Sequence, residues 1–156
     1  GAGFLNDALA LEDGSILFSD SRTGRIHRLA GGDVELWLED PLLEALNGLA
    51  LHEGDLYATT MAGLFLRIDM ETRAVVVVAE GIARGDGLAP LGSGRWLATE
   101  WPGRLFLVDT DGTVTTLEDR RDADTLMNDF ILVDGRLYMA HMRAGRVSAR
   151  DVREMN

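Results

Sequence analysis

Short apolar runs separated by glycine-bearing polar turns fill this chain, and they recur in a fixed order. A run opened by Asn or Asp comes first: Asn6-Asp7-Ala8-Leu9-Ala10-Leu11, Asn47-Gly48-Leu49-Ala50-Leu51, Asp86-Gly87-Leu88-Ala89-Pro90-Leu91 and Asn128-Asp129-Phe130-Ile131-Leu132-Val133. Each is followed by a tight-turn signal (Asp13-Gly14, Glu53-Gly54, Ser93-Gly94, Asp134-Gly135) and a second apolar run. Another glycine turn then leads to a third run, at Gly24-Arg25-Ile26, Gly63-Leu64-Phe65, Gly103-Arg104-Leu105 and Gly145-Arg146-Val147. The openings lie 41, 39 and 42 residues apart. A period near 40 with three or four short strands per unit is the pattern of a β-propeller blade. The expected fold is therefore all-β, a β-propeller with four recognisable blades of antiparallel strands. It forms a single domain or partial propeller over residues 1–156, with blades at about 6–39, 47–80, 86–118 and 128–150.

The first unit shows how a blade is written. Residues 7–11 alternate small residues with Leu, which suits a crowded inner strand. Glu12-Asp13-Gly14 closes a hairpin, residues 15–19 return, 25–29 make a third strand and 34–38 the outer one. Outer strands near 74–79 and 113–117 follow the same plan. The fourth unit departs from it, because Arg146-Val147-Ser148-Ala149 runs into the polar segment Asp151–Asn156, which offers little for an outer strand. Open blades leave unpaired edges and uncovered faces. Two arrangements stay open: four carboxyl-terminal blades of a longer propeller, or a four-bladed ring or multimer. In the first, the Val147 edge pairs with a strand from a missing amino-terminal segment or a second chain.

Composition narrows the partners. The net charge of −11 opposes binding to nucleic acid or to an anionic membrane, and no apolar stretch has the length of a membrane span. All 15 positive side chains are Arg, and there is no Cys, so disulfides and thiolate metal sites are excluded while the compartment stays undetermined. Nucleotide-binding glycine loops, a Gly-x-Ser-x-Gly elbow and zinc-type His spacings are all missing from the sequence.

The segments Phe4-Leu5-Asn6-Asp7, Leu46-Asn47-Gly48-Leu49-Ala50 and Gly85-Asp86-Gly87-Leu88-Ala89 resemble successive blades of the senescence marker protein / gluconolactonase / luciferin-regenerating-enzyme family. The third, continuing through Gly94 to Leu105, is the most similar. The resemblance implies a six-bladed propeller with lactonase-type hydrolase activity and a divalent cation on the axis, commonly calcium. It also implies that Asn6, Asn47 and Asp86 are metal ligands. The chain departs from that family in two places. No unit has a Glu at its opening position, and Phe4-Leu5-Asn6 stands where sugar-lactone members carry Arg-x-Asn.

Amide and carboxylate oxygens are hard donors suited to calcium or magnesium, which gives the same positions chemical sense. Asn128 opens the fourth unit in phase and joins the candidate ligands, with Asp7 and Asp129 close behind. Asp86 is the candidate catalytic residue, as metal ligand or general base. The opposing reading is that Asn-Gly, Asp-Gly and Asn-Asp pairs simply cap local backbone amides. The turns after each second strand should lie on the same face, which makes Asp20, Glu100, Trp101 and His141 candidate substrate-binding residues. His27 and His52 are expected at the surface. The functional expectation is a metal-dependent hydrolase of a lactone or related ester. The alternative is a non-catalytic propeller that binds a small molecule or protein on the face bearing the Asn/Asp ring.

Overall fold

The computed structural model describes residues 2–121 and 126–155, and those residues form four antiparallel sheets arranged as a β-propeller. Blade one is β1 (Leu5–Ala10), β2 (Ile16–Asp20), β3 (Arg25–Ala30) and β4 (Asp33–Glu39). Blade two is β5 (Leu46–His52), β6 (Asp55–Thr60), β7 (Leu64–Asp69) and β8 (Val75–Glu80). Blade three is β9 (Gly85–Gly92), β10 (Arg95–Glu100), β11 (Arg104–Val108) and β12 (Val114–Asp119). Blade four has three strands, β13 (Met127–Val133), β14 (Arg136–His141) and β15 (Arg146–Asp151), and continues into a 3₁₀ helix at Val152–Met155. The missing outer strand is thus as the polar sequence after Val147 predicts.

Three of the four hairpin signals work through the same geometry. Glu53 and Gly54 (φ 51° and 87°), Ser93 and Gly94 (54° and 75°) and Asp134 and Gly135 (50° and 72°) all take positive φ at both central positions. That is the type I′ arrangement, whose twist follows the strands it joins. Asp13-Gly14 differs: the loop is longer, with the Leu11 N–H donating to the Ser15 carbonyl at 2.8 Å.

Side chains alternate across each strand, so every blade has one face toward each neighbour. This produces three separate cores. Leu17, Ile26 and Trp37 of blade one meet Leu49, Leu56 and Leu66 of blade two. Phe65 and Ala79 of blade two meet Leu88, Trp96 and Phe106 of blade three. Ala89, Leu97 and Leu105 of blade three meet Phe130, Leu137 and Met139 of blade four. The surface expectation for the two histidines is corrected here. His52 is half-buried with its ring edge-on to Trp96 at 5.4 Å, and His27 is half-buried with Nε2 3.6 Å from Asp20 Oδ2. Imidazole is amphipathic enough to cover an aromatic neighbour or approach a buried carboxylate, which is why strand position alone misplaced them. At the centre β1 packs on β5, β5 on β9 and β9 on β13; no comparable packing joins β13 back to β1.

Candidate functional site

Every inner strand bulges at its opening pair. The ladder skips between Leu5 and Ala8, Leu46 and Leu49, and Met127 and Phe130, and β9 skips opposite Ala98 and Glu100. A bulge takes its residues out of regular pairing and re-aims their side chains. The backbone N–H released in this way still needs an acceptor. In blades one to three a hydroxyl one residue before the end of the second strand supplies it. Asp7 N–H donates to Ser19 Oγ at 2.8 Å, Gly48 N–H to Thr59 Oγ1 at 3.2 Å, and Gly87 N–H to Thr99 Oγ1 at 2.9 Å. These hydroxyls were not singled out from the sequence, although Ser19, Thr59 and Thr99 recur in phase; Ala140 holds the corresponding place in blade four.

The second residue of the first pair links blade one to blade two. Asp7 Oδ1 accepts from its neighbour Ala8 at 2.7 Å, while Oδ2 reaches across to the Leu49 N–H at 2.7 Å. Gly48 has no such freedom, because a Cβ there would lie 2.1 Å from the Asp86 carbonyl oxygen. That carbonyl accepts from Thr59 Oγ1 at 2.6 Å. A Cβ on Gly87 would lie 2.3 Å from Asp129 Oδ1. The glycine of Asn47-Gly48 is thus required by close approach of the following blade's backbone, whereas at Gly87 the near atom belongs to a side chain that can move aside.

The same nesting brings charges together. Burial, then the charges of Asp129 and Asp7, push the Asp86 carboxyl up to about 6, against the opposing effect of a hydrogen bond from Asn47. Asp7 is raised by burial despite its two amide donors. Asp129 is raised by burial and by Asp7, while keeping access to solvent and accepting its own Phe130 N–H at 2.7 Å. Asp7 and Asp129 also line a cavity of about 290 Å³ whose other walls include Leu49, Leu88 and Phe130. An amide oxygen and carboxylates that raise one another's pKa make a hard-donor set short of positive charge. Among the described residues no three His, Cys, Asp or Glu side chains converge closely enough to enclose a metal ion. A cation here would therefore take one or two carboxylates, the Asn47 oxygen and water.

The other candidates are placed as follows. Asn6 is exposed and donates through Nδ2 to Ser21 Oγ at 3.1 Å, while Asn47 is buried against Asp86 and Asn128 is half-buried. Strand register sets Asp20 opposite Leu5, Glu100 opposite Gly85 and His141 opposite Met127, so all three stand on the face of the openings. Their side chains turn inward. Asp20 accepts from the Gly3 and Phe4 amides at 2.7 and 2.8 Å; burial raises its pKa, but those amides outweigh it and hold the carboxyl well below its usual range. Glu100 is buried in an ion pair with Arg104, whose guanidinium covers the Phe106 ring at 5.0 Å. His141 is buried with Nε2 2.7 Å from Ser148 Oγ, and burial and Arg146 hold it below the usual imidazole range. Trp101 is half-buried, and its backbone N–H donates to the Arg84 carbonyl at 3.1 Å.

No protein-family model and no curated protein sequence matches the chain. Solved structures do match it in fold. Virginiamycin B lyase from Staphylococcus aureus superposes with a TM-score of 0.70 at 14% identity, over 94% of this chain and 55% of that one. A chain of a nidogen/laminin complex gives 0.77 at 16% identity, over 94% of this chain and 60% of that one. The computationally designed Ika4 protein gives 0.63 at 12% identity, over 96% and 93%. The chain thus spans a little over half the length of the lyase and three-fifths of the nidogen/laminin chain. At these identities the likeness is one of fold: a four-bladed β-propeller arc of the kind found in virginiamycin B lyase.

Proposed function

We propose that the axial face of this propeller binds a divalent cation of the calcium class and uses it to hydrolyse a lactone or related ester. The observation that carries the reading is the Asp86 carboxyl, raised to about 6 by burial and by Asp129 and Asp7, with the Asn47 amide beside it. Asp86 and Asn47 are the proposed principal ligands. Asn6 and Asn128, which open the flanking inner strands, would complete the shell if their side chains swing to the axis. Once bound, the cation supplies polarisation of the acyl oxygen. Asp86 is the group proposed to accept a proton from the attacking water; the water oxygen bonds to the acyl carbon and the ring oxygen leaves with that proton.

A second reading draws support from Asp20, Glu100 and His141, each of which is engaged in an internal bond. A face with few unengaged groups suits a non-catalytic binding module that uses the same axial carboxylates. Calcium titration by calorimetry, followed by hydrolysis assays on a panel of lactones and aryl esters, separates the two. Calcium binding with turnover that disappears in Asp86→Asn supports the hydrolase; calcium binding without turnover supports the binder. No heat with calcium, magnesium or manganese removes the cation site from both.

A further inference from the structure

We infer that two copies of this chain associate head to tail, the far face of blade four packing on the near face of blade one, to close a ring that one copy leaves open. This goes beyond the proposed function and does not depend on it.

The repeat itself supplies the argument. Third strands align at Ile26, Phe65, Leu105 and Val147, the residue two after the turn glycine in each unit. The first three are 0% exposed, each covered by the following blade, whereas Val147 is 68% exposed. Ile131 is 62% exposed, while its counterpart Leu9 packs into the first core and Ala89 into the third. Tyr138 lies beside Ile131 in register and completes the same surface. Blade four therefore carries the face that meets the following blade in the other three units, with no described residue of this chain packed on Val147 and Ile131 as in those units.

Blade one carries the reciprocal face. Ile16 and Phe18 are half-buried where their counterparts Leu56 and Ala58, Trp96 and Ala98, and Leu137 and Met139 are all buried. Rows Ala10–Ile16–Leu29–Val34 and Ala8–Phe18–His27–Leu36 run straight across the sheet. Phe18, Leu29, Val34 and Leu36 line a groove of about 470 Å³ there. The two faces are the halves of one interface type already formed three times inside the chain, and that continuity selects the occupant. β13 makes no packing on β1 comparable to that of the other inner-strand pairs, and the two faces stay exposed within one copy. The surface area agrees: the chain exposes 8315 Å² at 17.0 kDa, against roughly 7,700 Å² for a compact monomer of that mass. Contacts of this head-to-tail kind close when the rotation allows.

Sedimentation equilibrium of the 156-residue chain at 1–100 µM (~two decades, to expose a weak equilibrium) tests this. The expected mass is twice that of the chain. Val147→Arg, on the far face, and Phe18→Arg, on the near face, should each sediment as monomers with unchanged circular dichroism. Mixed in equal amounts, they should recover a two-chain species, because each retains the face the other has lost. A monomeric unmodified chain overturns the inference and leaves both faces to other blades or another protein. A mixture that stays monomeric, or a dimer insensitive to both substitutions, overturns it equally.

Discussion

Asp86→Asn should stabilise the fold at neutral pH, although it removes the proposed central ligand. The carboxyl moves from an ordinary 3.8 to about 6 in the folded protein, through burial first and the Asp129 and Asp7 charges second. A shift of that size makes the ionised form about 3 kcal/mol less favourable in the fold, and partial solvent access reduces this to about 1–3 kcal/mol. The native state holds the proton between roughly pH 4 and 6 while the unfolded chain has released it, so stability falls as pH rises through that window. Asn cannot ionise and escapes the loss. At pH 8 in chelator, Asp86→Asn should therefore unfold about 2–10 °C higher than the unmodified chain. At pH 4 the two should nearly coincide. Added calcium should raise the unmodified chain and leave the variant unchanged. Thermal denaturation by circular dichroism at both pH values reads all of this. A variant no more stable at pH 8, or a gap of equal size at pH 4, would refute the assignment of the cost to a buried, repelled carboxylate.

Gly48→Ala should cost about 2 kcal/mol or more in urea denaturation, since the new Cβ meets the Asp86 carbonyl oxygen at 2.1 Å and backbone must shift. Thr99→Ala should cost about 1–3 kcal/mol by leaving the buried Gly87 N–H without its acceptor, and Thr99→Ser should restore most of it. Asp20→Asn should flatten the acid limb of the stability curve. Its folded pKa is depressed, so its contribution is present above about pH 4 and is lost as pH falls below that. Urea midpoints from pH 2 to 6 check the loss of slope. Trp96→Ala, in the middle core, should cost about 3–5 kcal/mol by the same assay.

The repeat was legible because strand length, turn chemistry and period are local properties. Asn6, Asn47, Asp86 and Asn128 mark four inner strands, and Glu53-Gly54, Ser93-Gly94 and Asp134-Gly135 mark three type I′ hairpins. The register that sets Asp20, Glu100 and His141 on the same face as the openings followed from the hairpins as well. Side-chain direction did not. That Glu100 turns to Arg104 and Asp20 to the Gly3 and Phe4 amides depends on contacts no spacing encodes. The bulges were hidden for a related reason, since Ser19, Thr59 and Thr99 read as ordinary strand residues until the N–H groups they hold are seen.

Three cores, each shared by only two blades, make this a chain of nearest neighbours and not a body with one centre. Within one copy, blades two and three are each clasped on both sides, whereas blades one and four are clasped on one, so cohesion there is greatest mid-sequence and declines toward either terminus. A lesion in the middle core, around Phe65 and Trp96, severs the array into two pairs, while a lesion in an outer core detaches a single blade. Units joined in this manner are also interchangeable in principle: a duplicated or deleted blade disturbs only the junctions it touches.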